Sequence, residues 1–196
     1  IGFRIRDAIN VYYNAKGQED PTSNFQWEFI LVDDDQTKNA WCMPGGKIAF
    51  YSGILPIAKN EDGIASIMGH EIAHAVARHS AERASTAMLT DFGIMAVEKF
   101  VLGQRLPQAS GYVRQFGLDL PFNRKQETEA DYLGIIFSSL AGYNIEESYK
   151  VWERMREEGG SGPAEFWSTH PSPDNRIKKL KEWIPIVSRQ YPAMSI

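Results

Sequence analysis

The amino-acid sequence predicts an α+β protein that is mostly helical and carries one small antiparallel β-sheet in its N-terminal part. Segments suited to short strands occur between residues 26 and 51, and no convincing strand follows them. Apolar residues at helical spacing account for most of the remaining chain. The composition, 43% hydrophobic and 23% charged over 196 residues, is that of a globular domain. We therefore expect residues 1–196 to form a single domain.

The first 51 residues are predicted to contain one helix and three strands. Residues 1–14 have apolar side chains at helical spacing, and a polar loop follows them. The segment QWEFILVDDD is typical of a strand that ends at three aspartates. Two further strands, Asn39–Cys42 and Lys47–Tyr51, flank a turn at Pro44-Gly45-Gly46.

The other predicted elements are helices. They cover residues 53–60, 62–80, 81–102, 124–141, 145–158 and 173–184. Residues 103–123 contain glycines, prolines and apolar side chains, which suit either a mobile flap over a cleft or a packed irregular connection. The run GGSGP at 159–163 predicts a flexible break.

Charge and cysteine content exclude several kinds of protein. The net charge of −4 gives no indication of a nucleic-acid partner. Cys42 is the single cysteine, so neither an internal disulfide nor a zinc site built from several thiolates is possible. The chain begins at Ile1, from which we expect a fragment or a processed product that lacks an N-terminal signal or anchor segment. Such an anchor would associate the native protein with a membrane.

The segment SIMGHEIAHAVARHS carries the strongest chemical signal. His70 and His74 are four residues apart, which separates them by about 40° on a helix, so that both imidazoles can bind one zinc ion. Glu71 lies about 100° further round and would reach a zinc-bound water. This H-E-x-x-H pattern predicts a catalytic zinc site with Glu71 as general base.

The alternative is a pair of core histidines without metal. The rest of this helix is apolar, and burying polar side chains without partners is costly, which favours the metal. His79 lies about 180° round from His70 if the helix continues, so we expect it to face away. It is then either a surface histidine or a histidine that contacts a metal ligand without binding the metal itself.

A catalytic zinc ion usually has three protein ligands and one open position. Ala77 and Ser80 stand where the metzincin pattern needs Gly and His, so that class is excluded. The third ligand is then a distant carboxylate or His170.

The segment RKQETEADYLG is the best source of a carboxylate. Glu127 and Asp131 share one face of a helix, whereas Glu129 points elsewhere. If Glu127 binds zinc, Asp131 is placed to accept the second N–H of a zinc-bound histidine. Replacing Glu127, but not Glu129, is expected to lower the zinc content. The alternative is that these are ordinary exposed carboxylates.

The segment FWSTHPSPDNRI places His170 in a loop and Arg176 in the first turn of the last helix. A cation near a helix N-terminus is unfavourable unless it points at an anion, and the oxyanion of peptide hydrolysis is one candidate. His170 would donate to the same oxyanion or occupy the open position of the zinc ion. The alternative is a turn histidine and a solvated arginine.

Four segments in order carry a resemblance to a known family: NAWCMPGGKIAFYSGIL, GHEIAHAVARHS, ETEAD and STHPSPDNR. From about Asn39 to Leu180 the chain resembles family forty-eight of the metallopeptidases, the group that contains HtpX, BepA and the CAAX-prenyl protease. The resemblance implies a zincin-like fold of the gluzincin type and one zinc ion per chain. The implied roles are zinc ligation by His70, His74 and Glu127, general base catalysis by Glu71, support by Asp131, and active-site contacts by His170 and Arg176.

The resemblance also implies an activity. It indicates a zinc-dependent endopeptidase that cleaves unfolded or misassembled polypeptides, of the soluble or lipoprotein branch in the bacterial periplasm or at the outer membrane. Residues Lys47, Ile48, Ala49, Phe50 and Tyr51 resemble the family's edge strand, with which an extended substrate would pair. Two alternatives are a non-cleaving zinc-bound chaperone or assembly factor that uses the same groove, and a helical binding module with a structural metal.

Overall fold

The computed structural model of the chain describes residues 1–82, 123–157, 170 and 173–194. It confirms a mostly helical α+β fold with one small sheet. The elements are α1 (Gly2–Ala15), β1 (Glu28–Val32), β2 (Ala40–Met43), β3 (Lys47–Tyr51), a 3-10 turn (Ser52–Ile54), α2 (Leu55–Ala58), α3 (Glu61–Val76), α4 (Arg124–Leu140), α5 (Glu147–Glu157) and α6 (Pro173–Gln190).

The sheet is mixed, so the prediction of an antiparallel sheet holds for one of its two strand pairs. The strand order is β1-β3-β2, with β1 parallel and β2 antiparallel to β3. The connection between β1 and β2 crosses the C-terminal end of β3. Two backbone hydrogen bonds hold it there, from Tyr51 N–H to Asn39 O and from Gly53 N–H to Asp34 O. Because the chain crosses here, β2 runs back on the side of β3 opposite to β1. Strand β3 then runs between them in the same direction as β1.

The prediction that Lys47–Tyr51 forms an edge strand is wrong. This segment is β3, which has β1 on one side and β2 on the other. Its main-chain groups are used within the sheet, so they are not available to a substrate. Within the described part of the chain, the outer strands of the sheet are β1 and β2.

Helix α3 forms the centre of the molecule. Asn60 caps its N-terminus by accepting a hydrogen bond from Gly63 N–H, and Glu61 and Asp62 lie in the first turn, where acidic side chains are favoured. The helix packs against β2, α2, α4 and α5, and α6 packs against α4 and α5. Its side chains are therefore buried almost all the way round, which explains why its histidines are surrounded by apolar residues in the sequence.

Two helices end four or more residues from their predicted ends. Helix α3 ends at Val76, four residues early, because Arg78 adopts a left-handed backbone conformation with φ 57°. Helix α6 continues through Pro185 to Gln190, and Val187 in this extension is fully buried.

Several predicted segments lie mostly or wholly outside the described residues: the helix at 81–102, the connection at 103–123 and the break at 159–163. Among the helices that are described, none has the length and apolar character needed to cross a bilayer.

Candidate metal centre

Four buried side chains converge beside α3. His70 and His74 come from α3, Glu127 from the first turns of α4, and His170 from just before α6. Each is at most 5% exposed, and one potential ligand atom from each lies within 4.8 Å of those of the others. Both sources considered for the third ligand, a distant carboxylate and His170, are thus present at the same point.

Four of the six distances between the donor atoms are close to those expected around one zinc ion. His70 Nε2 lies 3.1 Å from His74 Nε2 and 3.3 Å from His170 Nδ1. Glu127 Oε1 lies 3.3 Å from His74 Nε2 and 3.0 Å from His170 Nδ1. Four ligands at zinc–ligand bonds of 2.0–2.1 Å are separated from one another by about 3.3–3.4 Å.

The contacts of the two α3 histidines also favour a cation at this point. An ionised carboxylate only accepts, so His70 donates its Nδ1–H to Asp131 Oδ1, 3.1 Å away. His74 Nδ1 lies 2.9 Å from His79 Nδ1, and it carries the hydrogen when His79 donates from Nε2 to Glu129. When both Nδ1 atoms carry the hydrogen, the two Nε2 lone pairs face each other at 3.1 Å. Arg176 Nη2 lies 3.3 Å from His70 Nε2, and a metal ion would bind both lone pairs. This imidazole and carboxylate donor set suits zinc.

Helix α4 places its carboxylates through its N-terminal cap. Asn123 and Gln126 form a capping box, which begins the helix just before Glu127. Asp131 follows one turn later on the same face, and both carboxylates are buried against α3. The positive end of the helix dipole adds to the stabilisation of the Glu127 carboxylate.

Glu71 lies beside His170, at the edge of the four-residue group. Its Oε1 is 3.3 Å from His170 Nε2 and has no partner in hydrogen-bond geometry in the described part of the chain. Burial raises the pKa of Glu71, and the charges of His170 and His70 offset part of that rise. Burial also raises the pKa of the Cys42 thiol on β2, with a smaller contribution from the Glu71 charge.

Arg176 lies against the carboxylates of α4. Its Nε and Nη2 donate to Asp131 at 2.7 and 2.6 Å, and its Nη1 is 2.5 Å from Glu127 Oε2. The guanidinium carbon is 3.7 Å from the centre of the Trp152 ring, a close cation–π contact. Burial alone would raise the pKa of Glu127 and of Asp131, but Arg176 holds both below their ordinary values. The guanidinium is thus occupied by protein groups, which does not support the predicted contact with a substrate oxyanion.

His79 does not face away from the metal centre, contrary to the sequence-based expectation. That expectation assumed a continuous helix, whereas the left-handed Arg78 turns the chain back. His79 is 2% exposed, with Nδ1 2.9 Å from His74 and Nε2 3.3 Å from Glu129 Oε2. Glu129 is directed away from the metal, as predicted, but it contacts this histidine. The sequence predicts a supporting role for His79 as one of two alternatives, but it indicates neither the contact of Glu129 with His79 nor that of Trp152 with Arg176.

Comparison with known proteins identifies the family to which this architecture corresponds. The model for Peptidase family M48 matches residues 4–184. The mitochondrial metalloendopeptidase OMA1 of Schizosaccharomyces pombe is 45% identical over 166 residues, covering 83% of this chain and 48% of the relative. The human mitochondrial OMA1 is 30% identical over 175 residues, 83% of this chain and 33% of the relative. The chain spans about half the length of the first relatives and less of others.

These comparisons contradict the predicted location in a bacterial periplasm or at an outer membrane. Relatives at 45%, 38% and 36% identity, from two yeasts and a plant, are all mitochondrial metalloendopeptidases. The beta-barrel assembly-enhancing protease of Yersinia pestis is 31% identical over 168 residues, 79% of this chain and 34% of the relative. Both mitochondrial and beta-barrel assembly-enhancing proteases match the chain, so a resemblance to the family alone does not separate the two locations.

Proposed function

The chain belongs to Peptidase family M48, and we propose that it is the catalytic domain of a zinc-dependent endopeptidase that cleaves unfolded or misassembled polypeptides in mitochondria. The observation that carries this proposal is the buried group of His70, His74, Glu127 and His170 with Glu71 at its edge. The mitochondrial location follows the names of the similar relatives.

Each residue of the site has a proposed part in peptide hydrolysis. Zinc, when bound, supplies a polarised water and a Lewis acid for the substrate carbonyl. His70, His74 and Glu127 hold the ion through one atom each. Glu71 removes a proton from the attacking water at its Oε1 and later delivers it to the leaving amine. A glutamate whose pKa is raised by burial is a better proton acceptor than an exposed one.

His170 occupies the position that the water needs. Its Nδ1 lies within the ligand group and its Nε2 faces Glu71, so the ring stands between Glu71 and the other ligands. We propose that this is a resting arrangement and that the ring leaves when substrate enters. Donation from His170 to the oxyanion remains the alternative role for this residue.

Arg176 has a positioning role in this mechanism. Through Asp131 it orients His70, and through its ion pair it fixes Glu127. Polar partners outside the ligand shell of a metal orient the ligands and raise their basicity. This replaces the oxyanion contact expected from the sequence.

We propose that a substrate pairs with β2 instead of β3. Strand β2 packs against α3 and, within the described residues, pairs with β3 alone. Its residue Cys42 is close enough for the Glu71 charge to affect the thiol pKa. An extended polypeptide that pairs with the other edge of β2 would be bound through its main chain, which favours unfolded substrates and gives little sequence preference.

One observation favours a second candidate, a zinc-bound chaperone or assembly factor that does not cleave. There are four buried donors within 4.8 Å of one another, and structural zinc sites have four protein ligands. In that case His170 would remain bound permanently and no water would reach the ion.

Cleavage of casein by the zinc-loaded protein distinguishes the two candidates. We expect Glu71→Gln to retain zinc and to lose activity by about 10²–10⁴-fold, because the general base is absent. The exposed carboxylate variant Glu146→Gln is the matched control and should cleave like the wild type. Equal cleavage by wild type and Glu71→Gln, or no cleavage by either at full zinc occupancy, would overturn the peptidase proposal.

A further inference from the structure

We infer that His79 and Glu129 form a hydrogen-bonded relay that orients His74 for zinc. The inference rests on the zinc ligation given to His74 in the proposed function. It assigns positioning roles to two residues outside the ligand group, one of them largely exposed to solvent.

The geometry of the relay is continuous from the metal centre to the surface. His74 is 1% exposed and presents Nε2 to the other ligands and Nδ1 to His79, at 2.9 Å. His79 is 2% exposed and presents its other nitrogen, Nε2, to Glu129 Oε2 at 3.3 Å. The side chain of Glu129 is 53% exposed, so the relay ends at the solvent.

The protonation states of the three groups agree with one another. A zinc-bound Nε2 has no hydrogen, so the neutral His74 ring carries its hydrogen on Nδ1 and donates to His79. His79 then accepts at Nδ1 and carries its own hydrogen on Nε2. The Glu129 carboxylate accepts that hydrogen. Both N–H groups are therefore directed from the metal centre towards the solvent. Glu129 selects the tautomer of His79, and His79 in turn selects the tautomer of His74.

The backbone between the two histidines supports the inference. Arg78 has φ 57°, a left-handed conformation that carries an energetic cost for a non-glycine residue. A continuing helix would avoid this cost but would carry His79 away from His74. Strained conformations of this kind persist where the surrounding contacts over-determine them.

The relay matches the support given to the other α3 ligand. His70 donates to Asp131, which is bound by Arg176. Helix α4 therefore serves the metal centre with three carboxylates in one stretch: Glu127 as a ligand, Asp131 behind His70, and Glu129 behind His79. The support of His74 by His79 and Glu129 is weaker than that of His70 by Asp131, because the Glu129 carboxylate is exposed and acts through the neutral His79 ring.

Zinc affinity, measured by competition with a chelator, tests the relay without reference to cleavage. His79→Leu removes the acceptor, His79→Gln restores one, and Glu129→Gln removes the terminal charge. Glu146→Gln is the matched control, since its carboxylate is 55% exposed and is paired with Lys150. Absorption of the cobalt-substituted proteins reports the ligand field at the same site.

We expect His79→Leu to weaken zinc binding by roughly 10–100-fold and to shift the cobalt spectrum, as loss of a ligand-orienting partner does. His79→Gln should recover most of the affinity, Glu129→Gln should weaken it at least threefold, and the control should match the wild type. Wild-type affinity in a folded His79→Leu variant would overturn the inference.

If His79→Leu does not fold, Glu129→Gln decides: weaker binding supports the relay and unchanged binding overturns it. The readout is binding, so a protein that holds zinc but cleaves nothing would contradict only the proposed function.

Discussion

Gly69 of α3 and Gly134 of α4 face each other where the two helices cross. A Cβ on Gly69 would lie 2.7 Å from Ser138 Oγ and 2.9 Å from the Gly134 carbonyl oxygen. A Cβ on Gly134 would lie 3.0 Å from the backbone nitrogen of His70. The missing side chains thus let the helix backbones approach closely, and this approach brings the carboxylates of α4 within reach of the histidines of α3.

Gly134→Ala tests this packing. Alanine is the better helix former by about 0.5–1 kcal/mol, so propensity alone would stabilise the protein. We expect the opposite, a loss of about 1–3 kcal/mol from overpacking, together with weaker zinc binding. Urea unfolding and chelator competition measure the two effects, with the exposed Ser188→Ala of α6 as control. A variant that is more stable and binds zinc normally would show that the contact is not required.

Arg176→Met tests the buried charge network. The change leaves the carboxylates of Glu127 and Asp131 buried without their cation, which typically costs 3–5 kcal/mol. Lys181→Met breaks the more exposed pair with Glu153 and should cost about 1 kcal/mol or less. Chemical unfolding of both variants measures the difference, and equal small losses would mean that Arg176 does not stabilise the centre.

The features predictable from sequence were those that depend on local spacing. His70 and His74, and likewise Glu127 and Asp131, are four residues apart on helices whose existence the apolar pattern indicates. Each pair was therefore placed on one face correctly. The turn at Gly45-Gly46, where both residues have positive φ, was predictable for the same reason.

The features that were missed depend on distant parts of the chain or on one backbone angle. The parallel pairing of β1 follows from the path of residues 33–39 across the end of β3, which strand propensity does not encode. The position of His79 depends on the left-handed Arg78, a conformation that sequence rarely indicates for arginine. The contacts of Arg176 join it to Asp131, 45 residues away.

His170→Ala tests the resting arrangement. If the ring fills the position of the water, its removal opens the site, and we expect casein cleavage to rise several-fold while zinc stays bound through the other three ligands. Initial rates and metal analysis measure the two outcomes. A fall in the rate with zinc retained would instead favour donation to the oxyanion, and loss of zinc would favour a structural fourth ligand.

Asp131→Asn tests the pH dependence of stability. Burial would raise the pKa of Asp131, but Arg176 holds it below the ordinary value of about 3.9. Because the folded pKa is the lower one, the stabilisation is present above about pH 4 and is lost as the pH falls towards the folded value. The variant should be less stable at neutral pH and should lose stability less steeply below pH 4. Urea unfolding from pH 7 to 3 measures this, with Asp7→Asn as an exposed control; parallel curves for wild type and Asp131→Asn would contradict it.

The zinc content of the purified protein and of Glu127→Ala shows whether the four-residue group beside α3 holds a zinc ion. We predict one zinc ion per chain in the wild type and little in Glu127→Ala, because the variant lacks the anionic ligand and leaves the Arg176 cation beside His70 without that counter-charge. Glu129→Ala, which removes no ligand atom, should still hold zinc under saturating conditions. A folded wild type without zinc, or a Glu127→Ala variant with a full complement, would contradict the account.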